Sequence, residues 1–126
     1  MQSLYNSWDE FVELTKNKPP RSLLVKALPY VHERNTALDL GAGALNDSMY
    51  LLSEKFAHVI AVDKNPVATD IAAGLPPERF TYTISSLESF NFPPTVADLI
   101  TAQYALPFIS PESFDEIGRA SCRERV

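Results

Sequence analysis

The sequence predicts an α/β fold, a parallel sheet with helices on both faces. Three observations predict it. The short runs "TALDL", "HVIAV" and "ADLIT" are almost continuously apolar, as strands covered on both faces are. Segments with helical spacing separate these runs. Glycine and proline mark the changes, as in "DLGAG" and "KNP".

Each element has its own signal. "NSWDEFVELTKNK" opens on a capping box, Ser7 and Glu10, and Trp8, Phe11, Val12 and Leu14 give it an apolar side. The prolines of "NKPPR" end it. "RSLLVKALPYV" places Leu23, Leu24, Ala27, Leu28 and Val31 at helical spacing, and Pro29 bends or ends that helix. These two helices precede the sheet and are expected across its carboxyl edge. "NTALDL" is a buried strand, and "NDSMYLLSEKFA" a helix with Met49, Leu52 and Phe56 on one face. "HVIAVD" is a second buried strand. "NPVATDIAAG" is a short helix with Asn65 as cap, Pro66 at the first position and Gly74 at the close. "RFTYTIS" alternates, with Phe80, Tyr82 and Ile84 on one side, and "VADLITAQYAL" is the fourth strand candidate. "SPESFDEI" starts a further helix, with Ser110 as cap and Pro111 behind it.

The chain as a whole narrows the function. Its 126 residues suit one domain, and 45% are apolar, enough for a core. A net charge of −5 argues against a nucleic-acid partner. No apolar run is long enough to span a membrane, and "MQSLYNSWDE" is no secretory signal. The only cysteine, Cys122, allows neither an internal disulfide nor a cysteine-based metal site. A cytoplasmic protein is expected, with no metal. The domain is expected over residues 1–117, with N-terminal helices over 1–34 and βα units over 35–117. "GRASCRERV", Gly118 to Val126, holds three of the six arginines and has no amphipathic period. It is expected to be a non-native tail on a domain that continues differently past Ile117.

The chemistry concentrates in "LDLGAGALND". Ligands of open α/β sheets bind outside the carboxyl ends of the strands. Gly41 and Gly43 follow the first strand there, where bare backbone permits a tight turn and close approach of a ligand. Asp63 ends the second strand 20 residues beyond Gly43, the place and distance of a carboxylate that accepts both hydroxyls of a ribose. An adenosine-containing cofactor is expected. A diphosphate fits poorly: the third position of G-x-G-x-x-G is Asn46, Asp47 stands at the mouth of the helix, and Asp39 adds negative charge. The loop suits a ligand with a positive group, such as S-adenosylmethionine.

"ALDLGAGALNDSMYLL", "VIAVDKNP", "FTYTISSLESFNFP" and "ADLITAQYALPFI" together resemble the class I S-adenosylmethionine-dependent methyltransferases, and more loosely their small tellurite-resistance and thiopurine-type members. The resemblance implies a Rossmann-like sheet of seven strands in the order 3-2-1-4-5-7-6. Four are visible, so the chain reads as the cofactor-binding half to two-thirds of the domain. The resemblance also implies roles. Asp39 supports the methionine ammonium, and the backbone of Gly41, Ala42 and Gly43 lines the methionine part. Asp63 holds the ribose, Lys64 flanks the adenine, and Ser86 and Leu87 meet its edge. Gln103 and Tyr104 face cofactor and substrate. Arg21 matches an N-terminal residue that can meet the cofactor carboxylate.

Two positions depart from the family pattern. Leu45 stands where a third loop glycine is usual, and Ser86 where an acid often faces the adenine, with Glu88 two residues on. No catalytic residue is named. His32 and His58 read as structural or solvated, Glu88 as a conceivable base or a solvated loop acid. Tyr5, Trp8 and Phe11 read as a lid or as packing. The acceptor is expected to be a small molecule. A non-enzymatic module binding a nucleoside or a partner, and an NAD(P)-dependent oxidoreductase, remain as alternatives.

Overall fold

The computed structural model describes residues 19–92 and 97–102. The helix expected over 7–18, Gln103, Tyr104, the helix expected from Ser110 and the tail from Gly118 lie outside the described residues. Helix α1 spans Ser22–Ala27, and a 3-10 turn, Leu28–Tyr30, continues it. Strand β1 is Thr36–Leu40, helix α2 Asn46–Ser53, strand β2 His58–Asp63 and helix α3 Thr69–Ala73. Strands β3, Phe80–Ile84, and β4, Leu99–Thr101, complete the order. Among the described residues no helix is long and apolar enough to cross a membrane.

All strand pairs are parallel, in the order β3-β2-β1-β4. β1 lies inside the sheet, so both its faces must be covered, and four of its five residues are buried. Alternation along the strands separates two cores. Ala37, Val59, Ala61 and Phe80 face Leu51, Leu52 and Phe56 at and beyond the end of α2. Leu38, Leu40 and Val62 face the other way, onto Phe90 and Ala97. There the rings of Phe90 and Phe92 meet edge to face, their centroids 4.9 Å apart.

Three expectations about the helices change, and one about β3, while Pro29 ends its helix as expected. α1 lies along a face of the sheet: Leu24 and Leu28 join the core beside α2, while Leu23 is 65% exposed. Only its first end reaches the carboxyl edge, through Arg21. Pro29 stops the α-helix at Ala27, and the chain tightens into the 3-10 turn. In α2 the buried apolar side is Leu51 and Leu52, with Met49 only partly buried and Phe56 beyond the helix end. α3 begins at Thr69, with Ala68 as its cap. Asn65 is drawn away from capping because its N–H donates to Asp63 Oδ1 at 3.0 Å, an Asx turn that competes with helix initiation. On β3, Phe80 is buried and Tyr82 partly buried, but Ile84 runs past the core and is exposed.

Candidate functional site

The loop after β1 folds back over the end of β2. The N–H groups of Gly41 and Ala42 both donate to Val62 O, at 2.8 and 3.1 Å. That reversal requires left-handed backbone: Gly41 has φ 71° and Gly43 φ 54°. A Cβ built on Gly43 would meet nothing within 4 Å. The space beside this backbone is open, so a ligand can approach it closely.

Asp63 closes the loop from below. Its Oδ2 accepts the Gly43 N–H at 2.8 Å, and its Oδ1 accepts that of Asn65. A carboxylate has about four lone-pair positions, so two remain for hydroxyl donors. The Ser85 N–H donates to Asp63 O at 2.9 Å and brings the residues after β3 to the same edge. Ser86 is held in a turn, its Oγ accepting the Ser89 N–H, and Leu87 packs against the Phe90 core. Lys64 is exposed beside Asp63.

Asp39 lies on the α2 side of β1, 4% exposed, and its Oδ2 accepts the Ser48 hydroxyl at 2.6 Å. Burial raises its pKa to about 7 against the Ser48 hydrogen bond, which lowers it; Asp47 and Asp63 push it up further, and Arg21 pulls it down. Ser48 was missed in the sequence, since only the first turns of α2, laid back over β1, bring it to a residue nine positions earlier.

Asp47, in the first turn of α2, is also buried. Its Oδ1 accepts the backbone N–H of Arg21 at 3.0 Å, and its Oδ2 lies 3.7 Å from Arg21 Nε. The structure therefore brings together Arg21, Asp39, Gly41, Ala42, Gly43, Asp63, Lys64, Ser86 and Leu87 along the carboxyl edge. Gln103 lies outside the described residues. His58 begins β2 at the opposite edge, with Nε2 2.7 Å from Thr81 Oγ1, and His32 is exposed. Among the described residues no cluster of His, Cys, Asp and Glu could hold a metal ion.

A glycine turn and an acid at the next strand's end thus meet at one edge of a parallel sheet. The sequence matches the model of the methyltransferase domain over residues 38–123, more than half of the chain. The chain belongs to the methyltransferase domain family. Solved structures agree in fold. A methyltransferase-domain chain of this shape aligns with CalS10, an amino pentose methyltransferase from Micromonospora echinaspora solved with S-adenosylmethionine bound, at TM-score 0.67 and 15% identity, over 99% of this chain and 56% of that one. A putative S-adenosylmethionine-dependent methyltransferase from Methanococcus maripaludis aligns at TM-score 0.63 and 19% identity, over 96% of this chain and 63% of that one. YcgJ from Bacillus subtilis aligns at TM-score 0.61 and 26% identity, over 78% and 45%. The chain thus spans about half the length of the structures it matches. Among curated proteins, none matches. The sheet order β3-β2-β1-β4 is the corresponding part of the Rossmann-like class I methyltransferase fold expected from the sequence.

Proposed function

We propose that this domain binds S-adenosylmethionine at the carboxyl edge and serves methyl transfer to a small-molecule acceptor. The observation that carries the reading is the meeting of Gly43 and Asp63: an open glycine backbone held 2.8 Å from a carboxylate that keeps acceptor capacity. The donor set fits that cofactor. Asp39, Asp47 and Asp63 suit an ammonium and a ribose and oppose a diphosphate. Asp63 would hold the ribose, Lys64, Ser86 and Leu87 the adenine side, and Asp39, Arg21 and the loop backbone the amino-acid end. When bound, the cofactor supplies an electrophilic methyl group. The domain's task is then to orient it toward an acceptor and exclude water. A net charge of −5 supports a small acceptor over a nucleic acid. A cytoplasmic setting belongs to the same proposal, supported by the single cysteine, Cys122.

Calorimetric titration with S-adenosylhomocysteine, beside NAD, tests this. Binding of the first alone is expected, weakened by about tenfold or more in Asp63→Asn, which loses acceptor strength toward the ribose. NAD binding instead would overturn the reading. A folded chain that binds neither points to a non-enzymatic module.

A further inference from the structure

Tyr82 carries a hydroxyl that its place in the core does not require. It lies on β3 in register with Ala61, two residues before β2 ends at Asp63. Its ring packs at the margin of the core on the α2 side. A phenylalanine ring would fill that place equally well. The hydroxyl reaches past the core to the connection between β2 and α3, where it donates to Asn65 O at 3.2 Å. Residue 65 is therefore held at both ends, its N–H by Asp63 Oδ1 at 3.0 Å and its carbonyl by Tyr82. Pro66 follows and narrows the backbone choice of Asn65 further. Burial raises the phenol's pKa above its ordinary 10.0, against a backbone hydrogen bond from Ala68 that lowers it, and the Asp63 charge raises it again. The phenol thus stays protonated and able to donate at neutral pH, within electrostatic reach of the acid that ends β2.

We infer that Tyr82 is a positioning residue: by holding the carbonyl of Asn65 it fixes the turn that aims the Asp63 carboxylate, and so sets how strongly the site prefers ligands with ribose hydroxyls. This rests on the cofactor reading above. The path is short and made of named bonds. The Gly43 N–H, from the loop after β1, fixes Asp63 Oδ2 at 2.8 Å. The Asn65 N–H fixes Oδ1, and where that N–H points depends on how residue 65 is turned. Tyr82 ties the rotation of residue 65 to β3, a strand already paired with β2. The lone pairs left on Asp63 then point in one direction before a ligand arrives, and less conformational freedom is lost on binding. Without the hydroxyl, the ring still packs but the turn gains freedom, so the loss falls on the ribose contact and not on the rest of the ligand.

The test compares two ligands on the whole chain, S-adenosylhomocysteine and its 2′,3′-dideoxy analogue, by calorimetric titration. Tyr82→Phe is expected to weaken the first by about fivefold and to leave the second within twofold. In the Asp63→Asn background the same change is expected to have no further effect on the preference, because the acceptor that it aims is already weakened. Arg79→Met serves as a control for general loosening: it removes the donor to Leu52 O and Phe56 O, away from the turn, and is expected to leave the preference unchanged. Equal loss of both ligands in Tyr82→Phe, with circular dichroism showing a folded chain, assigns the hydroxyl to the fold and overturns the inference. So does an unchanged preference, a loss that persists in the double variant, or an equal drop in the Arg79→Met control. A wild-type chain that binds neither ligand, or both equally, fails at the cofactor reading itself and takes the inference with it, which separates the two failures.

Discussion

At the scale of single residues, two side chains at the loop are held against their intrinsic preference. Asp39 is buried with one hydroxyl partner, and its carboxyl is raised to about 7 from 3.8. The folded state therefore binds this proton more tightly than the unfolded chain. Its contribution to stability is fully present below about pH 4 and is lost as pH rises toward 7, by a total of about 4 kcal/mol. Asp39→Asn removes that dependence. Urea unfolding should find the variant more stable than wild type by a few kcal/mol at pH 8, with the gap closing toward pH 4. Parallel curves at all pH values would refute it. Leu45 is the second case. It adopts φ 66° where the family pattern has glycine, and it is fully buried. Left-handed backbone costs a leucine about 1–2 kcal/mol, but deleting a buried leucine side chain costs about 2–5 kcal/mol. Leu45→Gly should therefore lower stability, by about 2 kcal/mol in thermal unfolding, although it restores the family residue. A gain would mean that strain outweighs packing.

At the scale of elements, α2 shows why strands were legible and helix ends were not. β1, β2 and β4 follow from continuous apolar runs and β3 from alternation, both properties of the segment itself. The end of α2 is made by residues far away. Arg79 Nη2 donates to Leu52 O and Phe56 O at 2.9 and 2.7 Å, and Arg34 Nη1 to Glu54 O at 2.8 Å. Locally the chain closes in a Schellman motif: the Phe56 N–H donates to Leu51 O and the Lys55 N–H to Leu52 O. Lys55 supplies the left-handed residue at φ 72°, where glycine is usual, so no glycine announced the stop. Two opposite predictions follow from this one end. Lys55 is exposed and loses little packing, so Lys55→Gly should raise stability by about 1 kcal/mol. Arg79→Met leaves two carbonyls without their charged donor and should lower it by about 2 kcal/mol. Denaturant midpoints at constant slope decide both. At α3 the cause is local instead: the expected cap Asn65 lies in the Asx turn made by Asp63, two residues earlier.

At the scale of the molecule, the sheet separates a functional edge from a structural one. The glycine loop, Asp63 and the Arg21–Asp47 pair gather at the carboxyl edge; the glycines and the strand-ending acid are local signals legible in the sequence, whereas the Arg21–Asp47 contact joins residues 26 positions apart and was not. The opposite edge was not legible, since its fastening joins residues more than 60 positions apart. There Asp98 Oδ2 accepts the N–H groups of Asn35 and Thr36 at 2.8 and 3.1 Å, and its own N–H donates to Thr36 O. One carboxylate thus clamps the start of β1 to the start of β4. A five-residue strand at about 3.3 Å per residue puts this clamp roughly 16 Å from the loop. Changes that far apart, with no shared partner, act additively. Asp98→Ala should therefore cost about 1–3 kcal/mol of stability, the loss expected when backbone donors at a strand end lose a charged acceptor. Its affinity for S-adenosylhomocysteine should stay within twofold of wild type, measured well below the unfolding transition. If affinity falls with stability, the edges are not independent: β1, carrying the clamp at one end and Asp39 with the glycine loop at the other, would then be the element that couples them.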